Sequence, residues 1–257
     1  MSSVTAIYKN LQRKSKRVVK RLLSPFELDL SQQSIVEKYL KGCGIEIGAL
    51  HNPLKVPPSL NVRYVDRMAK ADLQKHYPEL ESHNLVEVDI IDDGERLEQI
   101  KDGSQDFVIA HQFLEHCQDP IGAIQNMLRV LKPKGILYLS VPDKRYCFDQ
   151  HRPITPIEHL LRDYREGPAW SREQHFHEWV VFVNLGYTNE KDSYGDSRVE
   201  KQRDRLMAMD YSIHYHVWTP LEILELMVTL KKTLNWNFEV ELFYLEDGNI
   251  ILILRKP

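Results

Sequence analysis

The chain reads as an α/β protein with a doubly wound, mostly parallel sheet, a helical insertion and a closing antiparallel hairpin. Three observations predict that class. Between Gly44 and Val141, apolar runs of strand length alternate with polar stretches of helical length, the pattern of a parallel sheet covered by helices on both faces. Residues 144–216 are rich in His, Arg, Tyr and Trp and lack long apolar runs, the character of an insertion over the strand ends. Residues 238–245 and 249–254 then flank the turn Glu246-Asp247-Gly248, as the arms of a hairpin would.

Each element follows from local chemistry. Residues 1–30 carry Lys9, Arg13, Lys14, Lys16, Arg17, Lys20 and Arg21, and Ile7, Leu11, Val18, Val19, Leu22 and Leu23 form a broken apolar stripe. This is a basic amphipathic helical segment, expected to lie in solvent or against the domain, with weak contact to a membrane surface as the other reading. Residues 31–143 form the core. Ser31 caps a helix reaching Leu40, and strands follow near 44–48, 62–66, 85–89, 107–110 and 136–141. Asp119-Pro120 opens a helix with Ile121, Ile124, Leu128 and Leu131 on one face, and Lys132-Pro133-Lys134-Gly135 ends it. The insertion, 144–216, holds a helix over 156–166 and a charged stretch at 189–204, expected as a mobile loop or a helix start. Residues 217–257 complete the core sheet: Thr219-Pro220-Leu221-Glu222 is a capping-box start for a helix over 221–234, followed by the hairpin.

Composition bounds the function. A chain of 257 residues, 42% hydrophobic, suits one α/β domain with a cap. A formal charge of −3 gives no global pull toward nucleic acid, so no such partner is expected. Cys43, Cys117 and Cys147 show no zinc-like pairing and suit a reducing compartment. No apolar run has the length of a spanning helix and no signal-peptide pattern follows the N-terminal charges, so a soluble cytoplasmic protein is expected.

The strand ends suggest a nucleotide-type cofactor. Gly44-Ile45-Glu46-Ile47-Gly48 is a buried strand leading to a turn at which Gly48 lets a ligand approach the backbone. Asp66 ends the next strand, 18 residues beyond Gly48, close to the spacing at which a carboxylate meets ribose hydroxyls in dinucleotide folds. A nicotinamide cofactor is disfavoured because Gly-x-Gly-x-x-Gly is absent.

Three blocks carry a resemblance to a known family: Glu46-Ile47-Gly48 with Asp66 and Asp89; residues 106–120, containing Phe107-Val108-Ile109-Ala110 and Leu114-Glu115-His116 and ending in Asp119-Pro120; and residues 131–143, beginning Leu131-Lys132-Pro133-Lys134-Gly135. Together they resemble the class I S-adenosylmethionine-dependent methyltransferases, of the type acting on small molecules and glycans. The resemblance implies a Rossmann-like, seven-stranded sheet and S-adenosylmethionine as cofactor. It also implies that Glu46 and Gly48 flank the cofactor's amino-acid portion, that Asp66 takes the ribose hydroxyls, that Asp89 and the backbone of Ile90 address adenine, and that His111 stands at the methyl site. A second resemblance, in the Gly48–Pro53 turn and in His175-Phe176-His177-Glu178-Trp179, is to a bacterial subgroup found near glycosyltransferases, and it implies a glycan acceptor. The chain departs from the family at the first turn. Only Gly48 of three alternating glycines is kept, and Leu50 adopts positive φ less cheaply than glycine.

Methyl transfer to an alcohol calls for a base as well as positioning. The insertion offers His175 with His177 and His214 with His216, near Asp143, Asp149 and His151 in sequence; in extended chain, each pair would present two imidazoles to one side. The histidines can pack and hydrogen-bond the insertion, supply a base from His175 or His177, or bind a metal; the base is ranked above the metal, and no metal ligands are assigned. The expected activity is transfer of a methyl group from S-adenosylmethionine to a small-molecule or glycan hydroxyl. The rival is a degenerate methyltransferase fold acting as a noncatalytic scaffold.

Overall fold

Strand β1 (Cys43–Ile47) is an interior strand, third from one edge, of a seven-stranded sheet of order β3-β2-β1-β4-β5-β7-β6 in the computed structural model, which describes residues 31–257. The basic segment expected at 1–30 lies outside the described residues. Residues 36–257 form one compact unit. β2 (Asn61–Asp66), β3 (Ile90–Ile91), β4 (Gln105–His111) and β5 (Leu131–Pro142) run parallel to β1, whereas β7 (Asn249–Arg255) is antiparallel to both its neighbours, β5 and β6 (Glu239–Glu246). The hairpin folds back so that β7 pairs β5 and sits inside the sheet, with β6 at the edge. A strand covered on both faces needs side chains that are apolar on both sides, and Phe107–Ala110 and Ile250–Leu254 are buried throughout.

The helices are α1 (Gln32–Tyr39), α2 (Lys70–His76), α3 (Pro120–Val130), α4 (Ile157–Glu166), α5 (Arg172–Trp179), α6 (Ser197–Ala208) and α7 (Pro220–Lys232). Two caps are those the sequence announces. Asp119 accepts from the Gly122 amide at 2.9 Å and Pro120 stands at the first helical position of α3. Thr219 and Glu222 form the capping box of α7. The α3 face of Ile121, Ile124, Met127 and Val130 is buried against the sheet together with Ile223, Leu226 and Leu230 of α7.

Two expectations are corrected, and a third, open between a mobile loop and a helix start, is decided for the helix. The strand placed at 85–89 is instead the two-residue β3; residues 85–89 meet the sheet at Asp89, whose amide donates to Tyr64 O at 2.9 Å and whose carboxylate accepts from the Tyr64 amide. The Lys132–Gly135 turn does not separate helix from strand, because β5 already begins at Leu131 and carries the turn as an irregularity with Lys134 at φ 66°. The charged stretch 189–204 is ordered: a 3₁₀ turn at Glu190–Ser193 leads into α6, capped by Asp196, with Val199 buried against Val180 and Val181.

Candidate active site

Parallel strands of an open sheet deliver their polar ends to one side, and β1 and β4 leave in opposite directions around the centre, opening a crevice there. The crevice is a cavity of about 650 Å³, within the usual range for a small-molecule site. Ile47, Gly48 and Asp66 line it from β1 and β2, Asp93, Gly94 and Glu95 from beyond β3, and Gln112, Phe113 and His116 from beyond β4. The insertion closes it with Phe148, Trp179, Tyr211, Ser212, His214 and Tyr215.

Gly48 (φ 66°) forms the tight turn, and a Cβ there would reach 3.0 Å from the Phe113 ring. At Gly94 a Cβ would come to 2.6 Å from both Ile47 and Phe113, so these two glycines keep backbone at the cavity wall. Leu50 occupies the left-handed region at φ 48°, so the turn of the missing glycine is retained by a leucine. What holds it is visible: the Leu50 carbonyl accepts from the Val86 amide at 2.8 Å, and its side chain packs on Leu73, Tyr77 and Leu85.

Asp66 turns its carboxylate to the cavity. One oxygen accepts the Arg67 amide at 2.7 Å, and burial pushes its pKa up to about 6, partly offset by Arg67. A desolvated carboxylate with an oxygen to spare is suited to a ligand's hydroxyls. Arg67 donates to Tyr77 and to Asp210, and Asp210 also pairs with Arg172 at 2.9 Å; the rim of the insertion is thereby tied to the end of β2.

The other residues singled out in the sequence separate. Glu46 lies behind the wall: Oε1 accepts the Leu54 amide at 2.7 Å, Oε2 has no partner, and burial raises its pKa to about 8. Asp89 is exposed and away from the cavity, its carboxylate bonded to the Tyr64 amide at 2.8 Å, and Ile90 packs against the core. The acidic residues on the cavity past β3 are Asp93 and Glu95. His111 is also off the cavity, with a buried Nδ1 lacking a partner. The chain turns left-handed at Gln112 (φ 54°), so Gln112 and Phe113 face the ligand space instead; Gln112 is held by Ser140 and, at 3.1 Å, by Asn249 of β7.

The paired-histidine expectation is corrected by secondary structure. His175 and His177 lie on helix α5, where residues two apart diverge. His175 points into the interior, 3.0 Å from His159, with its pKa lowered to about 3 by burial and neighbouring positive charge; His177 points outward to Glu190 at 3.4 Å. Neither lines the cavity.

Three imidazoles do, those of His51, His116 and His214, and the last two have ring centres 4.6 Å apart. His214 Nδ1 is 2.6 Å from Oδ2 of buried Asp149, whose other oxygen accepts from fully buried Arg152 at 2.9 Å. Burial would raise the Asp149 pKa, but His214 and Arg152 hold it below the ordinary value. His116 Nδ1 lies 2.9 Å from the Ile213 carbonyl and 3.0 Å from Ser212 Oγ, and burial pushes its pKa down to about 3. Within 4.8 Å of a ring nitrogen of both His116 and His214 is a carboxylate oxygen of Glu115, a buried side chain with neither oxygen hydrogen-bonded and its pKa raised by burial to about 7. The His214-Tyr215-His216 run was a visible signal; its partner Asp149 is 65 residues away and carries no pattern that marks it.

Residues 41–139 match the family model described as a methyltransferase domain. No curated protein matches the chain in sequence. Among solved structures, a putative Zn-dependent alcohol dehydrogenase from Rhodobacter sphaeroides is 15% identical, with 89% of this chain and 90% of that one covered at a TM-score of 0.52. A possible histamine N-methyltransferase from Thermotoga maritima is 16% identical over 95% of this chain and 97% of its own at 0.45. A putative S-adenosyl-L-methionine-dependent methyltransferase from Methanococcus maripaludis is 14% identical over 95% and 91% at 0.43. At such identities the first likeness is one of fold.

Proposed function

We propose, from the premise that residues 41–139 make this chain a class I S-adenosylmethionine-dependent methyltransferase, that its acceptor is a hydroxyl oxygen of a small molecule or saccharide. The cavity fits the cofactor: Asp66 offers a desolvated carboxylate to ribose hydroxyls, and Gly48 and Gly94 keep side chains out of the space that backbone and ligand share. When bound, S-adenosylmethionine supplies a methyl group already activated on a sulfonium.

The protein's own task is to place the acceptor and take its proton. The observation that carries the hydroxyl reading is the His214–Asp149 pair at 2.6 Å on the cavity wall. An alcohol keeps its proton at neutral pH. An imidazole oriented through Nδ1 by a buried carboxylate leaves Nε2 to accept that proton as the new oxygen–carbon bond forms. The saccharide reading rests on the flat apolar faces of Phe148, Trp179, Tyr211 and Tyr215 around the same space, which suit a ring laid against them. Among the described residues no helix is long and apolar enough to cross a membrane, and the free cysteines Cys43, Cys117 and Cys147 support a reducing compartment, which we take to be the cytoplasm.

The test is transfer of labelled methyl to a panel of sugars and small alcohols by wild type and His214→Ala. The variant should lose roughly 10²–10⁴-fold in kcat, recover in part as pH rises, and bind S-adenosylmethionine unchanged. Full turnover by His214→Ala, or a product methylated on nitrogen, would refute the reading.

A further inference from the structure

Outside the cavity, two buried histidines, a third that is partly exposed and a buried aspartate point their donor atoms at one spot. His159 and Asp163 come from successive turns of α4, His175 from α5, and His216 from the extended stretch that leads to α7. Asp163, His175 and His216 are buried, and the His159 side chain keeps 12% of its exposure. His159 Nε2 lies 3.0 Å from His175 Nε2 and 3.2 Å from Asp163 Oδ2, and His216 Nε2 lies 3.8 Å from the same oxygen. One donor atom from each of the four residues falls within 4.8 Å of all the others.

Hydrogen bonds alone satisfy this arrangement poorly. Two imidazole nitrogens face each other across 3.0 Å, so one ring must offer a proton and the other a lone pair, while the ring nitrogens behind, Nδ1 of His175 and of His216, have no partner. Asp163 Oδ2 is buried without a hydrogen bond, although Asp163 Oδ1 accepts from Ser171 Oγ at 3.1 Å. Its ion-pair contacts are with histidines alone, and a buried carboxylate needs a compensating charge. A cation at the centre would meet the carboxylate's charge and take four lone pairs, that of His216 Nε2 in place of its long contact, 3.3 Å, with the Gln118 carbonyl. Metal–nitrogen bonds of about 2.0–2.1 Å in a tetrahedron put neighbouring donors about 3.3 Å apart, which the 3.0, 3.2 and 3.8 Å separations bracket.

We propose that His159, Asp163, His175 and His216 form a structural site for a divalent transition metal of the zinc type. Three imidazoles and one carboxylate select against magnesium and calcium, which demand oxygen donors. A closed four-ligand set in the interior leaves no position for substrate, so the ion's work is mechanical. It pins α4, α5 and the 211–218 stretch to one point, and His216 is two residues from His214. Ser171 on Asp163 is the outer contact that orients a ligating carboxylate.

The experiment needs no acceptor. Protein purified without chelator is assayed for metal by mass spectrometry, stripped, refilled with zinc or with Co(II), and followed by visible absorption and thermal unfolding. One equivalent of metal, an intense tetrahedral Co(II) spectrum and a lower melting temperature for the stripped protein are expected. His159→Ala, at the rim of the cluster and the change least disruptive to folding, should bind the metal roughly a hundredfold more weakly. His116→Ala should keep it; this control addresses the other cluster of ligand-type side chains, Glu115, His116 and His214. Folded wild type that takes up neither zinc nor cobalt would overturn the proposal. So would metal retained by His159→Ala and lost from His116→Ala, which would put the ion in the cavity.

Discussion

At the scale of single residues, the cofactor side of the site rests on groups whose ordinary behaviour burial has altered. Asp66 has one oxygen bonded to its own chain and one facing the cavity, so its removal should be felt by the ligand more than by the fold. Asp66→Ala should weaken S-adenosylmethionine binding roughly 10- to 100-fold, the worth of a charge-assisted hydrogen-bond pair, with little change in melting temperature; titration calorimetry of both proteins decides it. Asp66 was legible because a carboxylate at a strand end beyond a glycine turn follows a fixed spacing. His111 and Asp89 misled for local reasons. A left-handed Gln112 rotates the following residues into the cavity in place of His111, and past a two-residue β3 the acidic residues on the cavity are Asp93 and Glu95 in place of Asp89. Neither a single positive φ at a glutamine nor the shortness of a strand shows in a hydrophobic pattern.

At the scale of elements, the insertion is held by buried polar fastenings more than by apolar area. Arg152, fully buried, donates to Asp149, to the carbonyl of His214 at 2.6 Å and to that of Tyr215 at 3.1 Å, while Glu178 approaches to 3.7 Å. One guanidinium therefore positions α5 and the cavity-lining stretch together. Arg152→Ala leaves Asp149 and two carbonyls without their donor and should cost about 3–5 kcal/mol of stability in chemical denaturation, with Phe148, Trp179 and His214 disturbed as a group. Sequence composition announced an insertion and its helix at 156–166, and apolar spacing announced the core strands. The longest fastenings were hidden because they join Arg152 to residues 62 and 63 positions away, His214 and Tyr215, and because α5 lacks the apolar stripe that would have separated helix from extended chain.

Over the whole molecule, buried titratable groups set opposing pH limits on stability. Glu46, Glu95 and Glu115 have pKa values raised by burial from 4.5 to about 8, 7 and 7, so the folded state holds their protons more tightly and loses stability as pH climbs through that interval. His116 is lowered by burial from 6.5 to about 3, so the fold loses stability as pH falls through that interval. Three carboxyls outweigh one imidazole, so the melting temperature should decline as pH rises from about 5 to 8. Glu46→Gln should flatten the alkaline decline, by on the order of a few kcal/mol at most. A melting temperature unchanged from pH 6.5 to 8.5 would contradict the assignment. The position of β7 inside the sheet has a further consequence, for the order of assembly. Ile136 pairs with Arg255 and Pro142 with Asn249, contacts whose loop-closure entropy is met only late. During synthesis the flank of β5 therefore waits, apolar and unpaired, until residues 249–255 emerge. In that interval the nascent chain, with Leu137, Leu139 and Val141 already made, is a natural client for chaperones.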